Sequence, residues 1–182
     1  MSNFSQFFPA AGGGGLTPKF QDFTSSGTFT PTQALIDAGG YIEVFIVGGG
    51  GRTSSSSNPP SGGEAQLIPM YLTSTSSITV TVGAGATSST GGTSSFNGAS
   101  AGGSNVSSSG GTSEAAQQNK ASSSWGNRNG DTAAGNGFFG YGAGGTGISG
   151  EGGVYTPKAN TGQAGAYYVN GASGFVRVMW YE

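Results

Sequence analysis

Cysteine and histidine are both missing from this chain of 182 residues. Without cysteine there is no disulfide framework and no thiolate nucleophile. Without histidine the commonest general base is gone, a Ser-His triad is impossible, and the usual zinc ligands are absent. Charge is scarce as well, at 8% of residues with a net charge of −2. The basic residues Lys19, Arg52, Lys120, Arg128, Lys158 and Arg177 are scattered, so no cluster tracks a phosphate backbone and no nucleic-acid partner is expected. The acidic residues are isolated in sequence, with no pair placed for glycosidase-type work. No apolar run approaches the length of a membrane span, and Met1–Pro9 lacks the basic start and apolar stretch of a signal peptide. An enzyme, a cofactor or metal protein and a membrane-inserted protein are therefore not expected.

Two glycine-bearing stretches invite a ligand reading and fail it. Gly48–Gly51 follows a strand-like run, as a phosphate loop does, but lacks the Gly-Lys-Ser/Thr ending and a helix pattern behind it. Asn127-Arg128-Asn129-Gly130-Asp131 spaces oxygen side chains like a calcium loop, but its glycine comes too early and no closing glutamate follows. It reads as a turn.

The strongest positive signal is Tyr41–Val47, seven strand-forming residues running straight into Gly48–Gly51. It reads as the central strand, after which the glycines let the chain leave the sheet in conformations closed to other residues. Ile78–Val82 alternates as a half-buried strand does, and Phe175–Trp180 is a third run. These three are expected to share one core. Residues 20–31 read as two short strands about a turn at Ser26-Gly27, sending Phe23 and Phe29 inward. Thr32 to Ala38 reads as one helical turn, capped by Thr32 and stopped at Gly39. A strand over Glu64–Leu72 contains Pro69, which lacks a ladder donor, so it is an edge strand or is broken there. Thr93–Phe96 reads as a short strand holding one core ring.

The rest is dominated by glycine, 38 residues in all. Gly144, Gly147, Gly150 and Gly153 recur every third residue, and the same phase picks up Gly162, Gly165, Gly171 and Gly174. Three residues per turn is the polyproline-II repeat, whose free amides can bond neighbouring rods. Packed rods and irregular loops both remain open. The fold class expected is all-β: a small sandwich-like base with long glycine-rich loops or packed polyproline-II-like segments. Residues 1–19 form an arm, in which Phe4, Phe7 and Phe8 occupy one face of a helical turn ahead of a glycine-rich joint, as a plug for another protein would. Residues 20–182 form the glycine-rich β domain. Within it Trp125, Phe138, Phe139 and Tyr141 interrupt the least apolar part of the chain and are the candidate contact rings.

The ordered series Phe23–Thr30, Tyr41–Gly51, Ile78–Ala86, Gly92–Phe96 and Gly174–Tyr181 resembles the glycine-rich domain of bacteriophage tail fibres and tail-tip adhesins, over residues 20–182. The resemblance implies a compact β base carrying glycine-rich loops or stacked rods, in a homotrimeric virion appendage made in the host cytoplasm. It implies tail or baseplate proteins as partners on one side, engaged by Phe4, Phe7 and Phe8. On the other side it implies a host surface glycan or outer-membrane protein, engaged by the rings at Trp125, Phe138, Phe139 and Tyr141. The competing class is a polyglycine-rod ice-binding or extracellular matrix protein.

Overall fold

The computed structural model describes residues 15–52, 62–104, 157, 159–165 and 169–182. Its elements in chain order are β1 (Pro18–Phe23), β2 (Gly27–Phe29), α1 (Gln33–Asp37), β3 (Tyr41–Val47), β4 (Ala65–Tyr71), β5 (Ile78–Thr81), β6 (Ser94–Phe96), β7 (Ala99–Ala101) and β8 (Phe175–Tyr181). They form two four-stranded sheets, with orders β1-β8-β3-β4 and β2-β5-β6-β7, and every pairing is antiparallel. The fold is all-β.

The alternation in β3 decides how the sheets face each other. Ile42, Val44 and Ile46 are fully buried, as are Val176 and Val178 of β8, which lie beside them in register. From the other sheet come Phe29, Val80 and Phe96, all essentially without solvent exposure. These residues form one core, joined by Phe23 and by Leu35 of α1. Phe29 is its aromatic centre, 5.8 Å from Phe96 and 5.4 Å edge-on to Trp180 between ring centroids. Each such side chain contributes about 1.5–3 kcal/mol by burial. The three strand runs thus meet in one core, as their sequences require.

The helix is the single turn expected. Thr32 Oγ1 accepts from the Leu35 amide at 3.1 Å, and Gly39 follows with φ of 101°. β4 is an edge strand of the first sheet and contains Pro69. One expectation changes. β1 and β2 do not pair about Ser26-Gly27; they enter different sheets, β1 beside β8 and β2 beside β5. Phe23 and Phe29 both point inward from opposite layers, so burying them separates the strands. β7 was not foreseen. It pairs with β6 through Asn97-Gly98, both at positive φ (46° and 84°), the mark of a two-residue hairpin turn.

The outer faces of the two sheets differ in chemistry. In the first, register carries Pro18, Tyr181, Tyr41 and Tyr71 into one row across the four strands. In the second, Thr28, Thr79, Thr81 and Ser100 are exposed on the outside.

Candidate functional site

β3 runs on at Val47 into Gly48–Gly51, and these glycines form the axis of a second, sheetless layer. The Gly48 amide donates to Glu64 O, Gly49 to Gly92 O and Gly50 to Ala172 O. In return Gly49 O accepts from Ser104, Gly50 O from Ala86 and Gly51 O from Gly165. All six bonds span 2.8–2.9 Å. In a β-ladder, residues two apart bond the same neighbour. Here three successive amides reach three different segments and three successive carbonyls reach three more. That is a period of three, the signature of a polyproline-II rod with six neighbours.

The neighbours close into a ring. Residues 62–64 bond 102–104 through Glu64 N to Gly102 O, and 102–104 bond 91–92 through Gly91 N to Ser104 O. Residues 91–92 bond 83–86 through Gly92 N to Ala84 O, and 83–86 bond 171–174 through Gly171 N to Ala86 O. Residues 171–174 bond 162–165 through Ala172 N to Gln163 O, and Gly63 N to Gly162 O returns to the start. Buried amides and carbonyls that would cost about 1–3 kcal/mol each if left unpaired are satisfied without a sheet.

Glycine is needed here for space and not for backbone freedom. Among the described glycines of this layer only Gly162 has positive φ, so the expectation that Gly48–Gly51 turn the chain through unusual conformations is corrected. A Cβ on Gly48, Gly49 or Gly50 would lie 2.1, 2.0 or 1.9 Å from the carbonyl oxygen of Gly102, Ala84 or Gln163. The Cα atoms themselves approach those oxygens, as in the weak Cα–H···O contacts between strands. The axis is enclosed on all sides and is pure glycine, whereas the ring admits Ala84, Ala86, Ser104 and Ala172. The period-three phase at Gly162, Gly165, Gly171 and Gly174 falls on ring segments, while Gly144, Gly147, Gly150 and Gly153 lie outside the described residues.

Direction decides what this layer can do. Residues 83–86, 102–104 and 162–165 meet the axis in its own order and run outward, away from β3. Residues 62–64, 91–92 and 171–174 meet it in reverse and run back towards the sheets. The four outgoing rods therefore all end at the far end of the lattice, at Arg52, at Ala86 before the turn over Thr87–Thr90, at Ser104 and at Gly165. Because 102–104 and 162–165 both run outward, the stretch between them leaves at the far end and re-enters at the sheet end. Arg52 ties two of these together, its amide donating to Ser89 O at 3.1 Å and its guanidinium to Thr87 O. Ser94 clamps the lattice to the sheets: its buried hydroxyl accepts from Gly83 N at 2.9 Å and donates to Val47 O at 2.6 Å.

The candidate rings Trp125, Phe138, Phe139 and Tyr141, and the arm residues Phe4, Phe7 and Phe8, lie outside the described residues. Their attachment points are fixed nonetheless. The four rings belong to the stretch that leaves the lattice at the far end after Ser104 and re-enters it at the sheet end, where Gly162 lies against Val47 and Gly48. The arm joins at Gly15, beside the opposite end of β3, where Thr17 N donates to Glu182 O at 2.7 Å. Arg52 was not singled out from sequence, and nothing in its neighbours there marks it. Among the described residues no group of three or more metal-ligating side chains occurs, and no helix is long and apolar enough to cross a membrane. No family model, curated protein or solved structure matches the chain.

Proposed function

We propose that this chain is a structural component of a bacteriophage tail, a fibre- or tip-borne appendage that attaches the particle to its host. One observation carries the reading: the four outgoing rods all end at the same end of the lattice, opposite the arm's joint at Gly15. Connections presented together on a rigid frame are where recognition is usually placed, because their sequences can vary without disturbing what holds them. The receptor contact falls to Trp125, Phe138, Phe139 and Tyr141 on the long connection, and attachment to the tail falls to Phe4, Phe7 and Phe8. The receptor is a surface glycan or an outer-membrane protein, and the role is binding without catalysis.

Particles carrying Trp125→Ala or Tyr141→Ala should assemble normally and adsorb to host cells several-fold more slowly. Particles made with the triple change Phe4→Ser, Phe7→Ser, Phe8→Ser should lack the protein. Normal adsorption by both ring variants, or full incorporation of the arm variant, would reject this polarity.

A second reading has one feature in its favour. The exposed hydroxyls of Thr28, Thr79 and Thr81 stand in register on the outside of the second sheet, a flat polar array of the kind an ice surface or a matrix polymer could meet. Thermal hysteresis of the purified protein would favour it; none is expected.

A further inference from the structure

The outer face of the first sheet is rich in exposed aromatic side chains where an isolated molecule would keep it polar. Phe20, Tyr71 and Tyr181 are 67%, 70% and 55% exposed, Leu67 47% and Tyr41 38%. All five project from the same side, as strand alternation and register require. Beside the tyrosine row lies a groove of about 230 Å³ floored by Met179 and walled by Phe20, Tyr41 and Tyr181. Tyr41 and Tyr71 hold each other at 5.3 Å between centroids, and the Arg177 guanidinium sits 5.0 Å over the Phe20 ring while pairing with Asp22 at 2.6 Å.

We infer that this face docks a second copy of the same chain, sheet against sheet about a two-fold axis. Area supports it first. At roughly 200 Å² per fully exposed aromatic side chain, the five residues leave on the order of 500 Å² of apolar surface. With about 65% of a homodimer interface apolar, that corresponds to nearly 800 Å² per partner, the size of a standard stable interface. Composition agrees: tyrosine, phenylalanine, methionine and arginine are the residues enriched at the centres of interfaces. Charge supports identity of the partner. Asp22 and Arg177 neutralise each other and the Glu43 carboxylate is held by the Tyr41 hydroxyl, so a copy meets a copy with little net charge on either face. A flat face pairs with itself only isologously, which makes the unit a dimer with the two sheets about 10 Å apart. This docking does not depend on the phage reading, since it uses neither the arm nor the lattice end.

The test uses the full chain. Light scattering at tens of micromolar should give the mass of two chains. The double variant Tyr71→Asp, Tyr181→Asp should give one, with an unchanged far-ultraviolet spectrum and a dissociation constant raised at least about 30-fold. In the unmodified protein, nitration of Tyr41, Tyr71 and Tyr181, read by mass spectrometry, should slow several-fold as concentration rises through the dimerisation range. A monomer at all concentrations, a trimer, or a dimer indifferent to the substitutions overturns the inference. So does tyrosine protection independent of concentration, which would mean that the chain's own arm or another of its segments covers the face.

Discussion

An alanine methyl at Gly50 would sit 1.9 Å from the Gln163 carbonyl oxygen and 2.4 Å from its carbon. Both are main-chain atoms held in the ring, so neither can swing aside. Gly50→Ala should destabilise the protein by about 3 kcal/mol, the upper range of overpacking costs, and Gly15→Ala by close to zero, since nothing lies within 4 Å of that position. Denaturant titration of the pair separates the effect of space from that of composition. A cost equal at both sites would mean that the axis can expand. The tyrosine row offers a second residue-scale check. The Tyr41 hydroxyl donates to Glu43 Oε1 at 3.1 Å, and this bond to the carboxylate raises the phenol above its usual pKa. The folded state therefore favours the neutral phenol. The small stabilisation is complete below the ordinary tyrosine range and disappears as pH rises through the raised value. Spectrophotometric titration should show one tyrosine ionising late, returning to the ordinary range in Glu43→Gln.

At the scale of elements, strands and rods are the same pieces of chain. β3 continues into the axis, β5 into 83–86, and β7 into 102–104, while 62–64, 91–92 and 171–174 lead back into β4, β6 and β8. Rod amides should therefore exchange with solvent as slowly as strand amides. In native-state hydrogen exchange, Gly49, Gly50 and Gly92 should show protection within a few-fold of Val44 and Val178. Exchange of the rods at loop rates would detach the lattice from the cooperative unit. The same continuity explains what the amino-acid order could reveal. Tyr41–Val47 and Ile78–Thr81 carry their burial as a period of two, visible in one dimension. The lattice is visible only as missing side chains, because its period of three depends on which neighbour each amide meets. Asn97-Gly98 announced a hairpin that composition alone obscured, since the flanking strands are mostly serine and alanine. The aromatic row was hidden for a similar reason: Tyr41, Tyr71 and Tyr181 are over a hundred residues apart at the extremes and meet only through register.

At the scale of the whole molecule, a hydrophobic sandwich and a backbone-bonded lattice share one long axis. The arm's attachment point lies at the sandwich end and the ends of the outgoing rods at the lattice end. The candidate contacts at Trp125, Phe138, Phe139 and Tyr141 were legible as rings in a glycine-rich setting, and they lie outside the described residues. The pairing of an outgoing with a returning rod has an entropic consequence. The turn at Thr87–Thr90 joins two rods already bonded to each other through Gly92 N and Ala84 O, so its ends are held together whatever lies between them. Closing a flexible loop costs only about 0.6 kcal/mol for each doubling of its length. The lattice thus behaves as a set of sockets with fixed openings, into which sequence of almost any length can be spliced while the fold keeps its register.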